Sequence, residues 1–225
     1  MLKKHYKLIF SGTVIIILLF VINQQHQEKK LYEQYISQNM NYEIKKLVKG
    51  IVESYNIFDE ILDSGDITNR QAKLLISFSK DIVNMTEELE RKAISLERLN
   101  HSEFNNVTYG NTLRIFSFFS NLDADKYYDI GKLDDIHTTL DSSLYEKIKF
   151  LKELYFLWIL VVEDSLIGVI ITEEDIQLSV SEYNSNFDSD SVSNNFWIDL
   201  LVEFDEKTNA FLNKYEIDNI KEKLN

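Results

Sequence analysis

The chain has 225 residues, a net charge of −13, six glycines, no proline and no cysteine. The missing cysteines exclude disulfides and thiol chemistry, and the shortage of Gly and Pro turns excludes sandwiches and barrels in favour of helices. Residues 1–30 sum to +4 and the rest to −17, a balance that repels phosphate and argues against nucleic acid as a partner.

Lys3, Lys4 and Lys7 precede an uncharged run from Leu8 to Ile22, and Ile15 to Ile22 is apolar throughout. The pattern predicts a membrane anchor over residues 8–23. Sixteen residues give a helix of roughly 24 Å, short of a hydrocarbon core of about 30 Å. Lysine stems reaching the headgroups and local thinning of the bilayer close the difference. The alternative is a cleaved signal peptide, whose charged start and apolar middle look alike. No small-x-small site follows the run; Asn23, Gln24, Gln25, His26 and Gln27 do. The lysine excess at the start predicts a cytoplasmic N-terminus, residues 1–7, and a domain on the outer side. With seven residues ahead of the span, any signal is expected to pass through a partner.

Residues 24–39 are polar and read as a helical stalk leading to a bundle over 40–225. Apolar side chains from Met40 to Leu62 recur at spacings of three and four, and Gly65 marks the helix end. In 68–100, Leu75, Phe78, Ile82, Met85, Leu89, Leu96 and Leu99 keep a seven-residue register, with Lys92 in one apolar slot and Ala93 beside it. Thr68 or Asn69 can cap its start. The stripe predicts coiled-coil-like packing against 28–63 across a short turn.

Segment 103–121 reads as loop then helix, divided near Tyr109-Gly110-Asn111. Residues 133–172 read as a long central helix; Leu154 to Val162 is free of charge, and Glu163 and Asp164 follow. Two acids near its middle argue against a second span. Two short strands, 169–172 and 176–180, are the weaker reading. Residues 181–195 read as a loop rich in Ser, Asn and Asp, and 196–224 as a final helix. The predicted fold is therefore all-α: a single N-terminal transmembrane helix followed by a bundle of four or five helices. The wealth of Lys, Ile and Asn associates with AT-rich bacterial genomes.

Catalytic patterns are weak. Asp123, Asp125, Asp129 and Asp134 occupy four positions of a twelve-residue calcium-loop window, but Tyr128 stands where the turn needs Gly. Asp134 and His137 are three apart and Glu97 and His101 four apart, the low-ranking candidates for a metal. No nucleophile elbow or phosphate loop is present, and no cofactor is implied. Glu163 and Asp164 read either as solvent-facing or as a polar pair needing a partner such as Arg114. Asn84 and Asn106 begin glycosylation triplets, which carry no meaning in a typical bacterium. The leading expectation is a membrane-anchored, extracytoplasmic protein-interaction or sensing module. Its partners would be membrane lipid through residues 8–23 and another membrane or cell-surface protein, and it would not be an enzyme. The alternatives are a membrane-tethered metal-binding bundle or metalloenzyme, and a secreted helical protein.

Overall fold

The computed structural model describes residues 2–100, 104–124, 137–165, 169–171, 176–178 and 191–225, and side chains from residue 10 onward except 123–124, 169–171 and 176–178. The chain is mostly helical. Its longest element, α1, runs unbroken from Leu2 to Ser64, 63 residues or about 95 Å of helix. The three segments expected as span, stalk and first bundle helix are thus one rod. Among its described side chains Ser37 is the first that is buried. From Met40 onward one face is buried, with Ile44, Leu47, Val48, Ile51, Phe58 and Ile61 wholly inaccessible.

Gly65 ends α1 with φ +72°, and its N–H donates to the Ile61 carbonyl at 3.0 Å. That backbone conformation favours glycine over any residue with a Cβ. The chain then passes through a short strand β1 (Asp66–Thr68) into α2 (Asn69–Ser95), antiparallel to α1. Thr68 and Gln71 form a reciprocal capping box at the start of α2. Strand β1 pairs antiparallel with β2 (His137–Thr139), in the register Asp66–Thr139 and Thr68–His137.

The buried face of α2 differs from its hydrophobic stripe. Leu75, Ile82 and Leu89 lie on both, but Ala72, Ser79, Thr86 and Ala93 complete the face, while Leu96 is exposed. Both α1 and α3 pack on α2, so the buried arc is wider than a two-helix seam. Small side chains allow the close approach. A Cβ added at Gly50 of α1 would come within 3.1 Å of Ile82 Cγ1 and 3.3 Å of the Phe78 carbonyl oxygen. Lys92 holds its place in the apolar register through Glu43 of α1. Its ammonium donates to both carboxylate oxygens at 2.6 Å, and both side chains are largely buried.

Helix α3 (Val107–Ala124) begins before Gly110 and passes through it, so the expected division there does not occur. Helix α4 spans Ser142–Ser165, shorter than the expected 133–172, and buries Leu151, Leu154, Tyr155, Trp158, Ile159 and Val162. Beyond it, β3 (Val169–Ile171) and β4 (Ile176–Leu178) pair antiparallel, so the short-strand reading holds there. The final helix is two: α5 (Phe196–Lys214) and a single turn, α6 (Lys221–Leu224). A row of rings crosses the bundle. Phe119 of α3 stacks near Phe58 of α1, which meets Tyr155 edge-on at 5.1 Å. Tyr155 lies 4.8 Å from Trp158, and Trp158 meets Phe204 of α5 edge-on. Such contacts add roughly 0.5–1.5 kcal/mol each beyond area burial.

Helices α2 and α5 both close with the same turn. Arg98 N donates to the Ala93 carbonyl and Glu97 N to Ile94; Ile217 N donates to Leu212 and Glu216 N to Asn213. The left-handed residue is Glu97 (φ 56°) in one and Glu216 (φ 54°) in the other, where glycine is the usual occupant.

Two stability measurements check this account. Glu216→Gly is expected to raise unfolding free energy by about 1 kcal/mol in urea titration, because the positive φ then costs nothing. Lys92→Met is expected to cost about 3 kcal/mol by leaving Glu43 unpaired, while Glu43→Leu with Lys92→Met costs far less.

Candidate functional site

The residues proposed for a metal do not form a described site. His137 is exposed on β2, beside Thr68 at the start of α2, and Glu97 is exposed just past the end of α2. The 27 residues of that helix separate the two ends by about 40 Å. Asp134 and His101 lie outside the described residues, as does most of the acidic calcium-loop window. Among the described residues no three His, Asp or Glu side chains gather in a way that could hold a metal ion. Glu163 and Asp164 face solvent at the end of α4. Arg114 bonds instead to the Gly110 carbonyl of its own helix. Asn106 is buried, and its amide donates to Glu90 at 2.7 Å, which closes it to glycosylation.

The unusual surface is at the other end of the molecule. Between Phe10 and Ile22, ten large apolar side chains stand exposed, among them Ile16, Leu19, Phe20 and Ile22 at 60–68 % of their full area. Nine of them, Val14 to Ile22, are consecutive, so they cover every side of the helix. An amphipathic helix hides one stripe; a helix that is apolar all round belongs in a core or a bilayer. Among the described residues no helix is long and apolar enough to cross a membrane. The uncharged run with described side chains, Phe10 to Ile22, is thirteen residues, or roughly 20 Å, and includes Ser11 and Thr13. The sequence extends it at Leu8 and Ile9.

Above this run the rod is polar, with Gln24 donating to Glu28 and Lys29 paired to Glu33. Leu31, Tyr32, Tyr35 and Tyr42 are 61–68 % exposed. Tyr35 and Tyr42 sit seven residues apart on a face that the bundle leaves uncovered. The root of the rod is held by a strap. Ser191–Ser193 forms one turn of 3₁₀ helix against α1. Val192 N donates to Ser37 Oγ at 3.0 Å, and Asn41 Nδ2 donates to Ser191 Oγ at 3.2 Å. Arg98 donates to the Val192 and Asn194 carbonyls at 3.1 Å and also to Asn195 Oδ1. Asn195 therefore serves Arg98 and makes no side-chain cap on α5.

A second polar hub lies where α3 begins. Asp205 of α5 accepts from Val107 N at 2.9 Å and Thr108 N at 3.0 Å, capping α3 from another helix. Next to it, Thr208 accepts from Trp158 Nε1 at 2.9 Å and donates to the Phe204 carbonyl. Sequence reasoning missed both residues, since a buried Asp and Thr look like surface positions until their partners are known.

The described surface also carries an open groove lined by Glu146, Lys149, Phe150, Glu153, Tyr215 and Lys223. Burial pushes the Glu153 carboxyl up, but bonds from Lys214 and Tyr215 outweigh that and hold it below the usual carboxylate range. Burial, then the bond to Glu153, pushes the Tyr215 phenol up to about 12. Lys214 and Tyr215 thereby occupy the Glu153 carboxylate, and both lysines and glutamates line the groove. Comparison with known protein families, with curated protein sequences and with solved structures finds no match to the chain.

Arg98→Met is expected to leave the 191–195 backbone carbonyls without their charged donor. Amide exchange of Val192 and of the first turn of α5 should rise, with a loss of about 1–2 kcal/mol in stability. Unchanged exchange there would show that the strap holds without Arg98.

Proposed function

We propose that the chain is a single-pass membrane protein. In this reading residues 8–23 lie in the bilayer, the N-terminus is cytoplasmic, and α1 carries a helical interaction or sensing module on the outer side. One observation supports it above the rest: the all-round exposure of apolar side chains from Phe10 to Ile22. Leaving those groups in water costs on the order of 10 kcal/mol relative to an apolar environment. The helix already satisfies its own backbone groups, which is the form a bilayer accepts.

The short length is compatible with this reading. Lys7 on one side can reach headgroups along its stem, and Asn23 marks the other interface. The lysines at 3, 4 and 7 favour the cytoplasmic side for the N-terminus. The strongly acidic remainder of the chain would be repelled by anionic lipid, so the rod would hold the bundle away from the surface. Leu31, Tyr32, Tyr35 and Tyr42 then present aromatic surface just above the bilayer, a site suited to another membrane or cell-surface protein.

Alkaline phosphatase fused to the C-terminus is expected to be active in a bacterial host, and an inactive fusion would reverse the orientation. Full-length protein should pellet with membranes and resist alkaline carbonate extraction. Ile16→Lys with Leu19→Lys, each costing about 2.5–3.5 kcal/mol at a helix centre, should release it. Recovery of the unaltered full chain as a soluble species would defeat the proposal.

A further inference from the structure

Between its apolar run and the bundle, α1 exposes a stripe of its own. Leu31, Tyr35 and Tyr42 are 61–68 % exposed, and Gln38 between them is exposed as well. At 100° per residue these four side chains lie within about 60° of one another. Ser37, Met40, Ile44 and Leu47, all buried in the bundle, lie on the opposite side of the helix. The spacing of the stripe is four, three, four, the seven-residue register of a two-helix seam. Downward, the same register runs without a skip through Glu28, Gln24, Val21, Ile17, Val14 and Phe10. Upward, its next two positions are Lys45 and Lys49, whose charges end it.

We propose that this stripe is the seam of a parallel, in-register dimer of two copies of the chain. The proposal rests on the membrane reading above, which stands both rods on one bilayer and points them the same way.

Lipid does not reach the upper part of the stripe. With Asn23 at the edge of the hydrocarbon, Leu31 stands about 12 Å and Tyr42 about 28 Å further out along the helix. The headgroup layer is only about 5–8 Å deep. The fitting cover is a parallel helix that rises from the same membrane with apolar groups at the same heights. A second copy supplies that helix by symmetry. Gln24 and Gln38 then meet their own equivalents, and an amide both donates and accepts, so each can bond to its copy. The exposed area is sufficient. Leu31, Tyr35, Tyr42 and the flanking Tyr32 are each about two-thirds exposed and offer roughly 1,000 Å² over two copies. Val14, Ile17 and Val21 carry the sum past the ~1,200 Å² at which specific interfaces begin. The bundles, which are strongly acidic, come to lie on the outer sides of the pair, where their repulsion is least. One residue opposes the arrangement. Glu28 falls within the stripe and faces its own copy, with the Gln24 amide donating to it at 3.1 Å.

The chain has no cysteine of its own, so single cysteines report the seam directly. Leu31→Cys, Tyr35→Cys and Tyr42→Cys, each in the full chain in bacterial membranes, are expected to give a disulfide-linked species of twice the chain mass under mild oxidation. His26→Cys and Lys29→Cys, on the opposite side, are expected to give none, since a disulfide needs Cα atoms within about 7 Å. Adding Tyr35→Ser and Tyr42→Ser should cut the Leu31→Cys product about tenfold, and adding Glu28→Gln should increase it. No product at the stripe, or equal product on both sides of the helix, overturns the proposal. So does a product of another mass, which would seat a different protein on the stripe. Carbonate extraction of the same membranes reports the anchor separately. A chain lost to the supernatant defeats the membrane reading, while the cross-linking pattern still decides the pairing.

Discussion

The molecule depends on the continuity of its first helix. A helix pairs its own N–H and C=O groups, so one backbone can pass through surroundings of different polarity without leaving a polar group unmet. Helix α1 changes side-chain character along one such backbone. Its lower part is apolar on every side, its middle is polar with an aromatic face, and its upper part buries one stripe in the bundle. No proline interrupts it, and its glycines at 12 and 50 lie within unbroken helix. The bundle is therefore joined to the apolar segment by a rod and not by a hinge.

That join needs a firm root. Where α1 enters the bundle, Ile36 is partly buried and full apolar burial begins at Met40, so polar contacts share the first turn. Ser37 and Asn41 bind the strap at 191–192, and Arg98 ties the strap to the end of α2. One turn further in, Glu43 and Lys92 form a largely buried ion pair between α1 and α2. Such a pair adds little net stability compared with apolar side chains of similar size, but it penalises any other register of the two helices. Deeper still, packing takes over, with the aromatic row from Phe119 to Phe204 linking α3, α1, α4 and α5.

Polar side chains inside the bundle join elements distant in sequence. Asp205 caps a helix that starts 98 residues earlier. Thr208 meets Trp158 across 50 residues and Thr108 across 100. Asn111 accepts from the Ile220 N–H at 3.0 Å, fixing the turn after α5. None of these pairs has a local signature, because each partner is satisfied by a group that only folding brings near.

The sequence by itself determined the helical class, the antiparallel turn at Gly65, a cap at Thr68 or Asn69 and the uncharged, largely apolar character of residues 8–22. These follow from local chemistry: the spacing of apolar side chains, the conformational freedom of glycine and the reach of a side-chain oxygen to nearby N–H groups. The tertiary structure decided which faces are buried. It widened the face of α2 to include Ala72, Ser79, Thr86 and Ala93, since two neighbours press on that helix where a heptad stripe implies one. It ended α4 at Ser165 and left Glu163 and Asp164 in solvent. It also set Glu97 and His137 at opposite ends of α2, a separation invisible in the sequence because their order along the chain carries no measure of distance once helices turn back on one another.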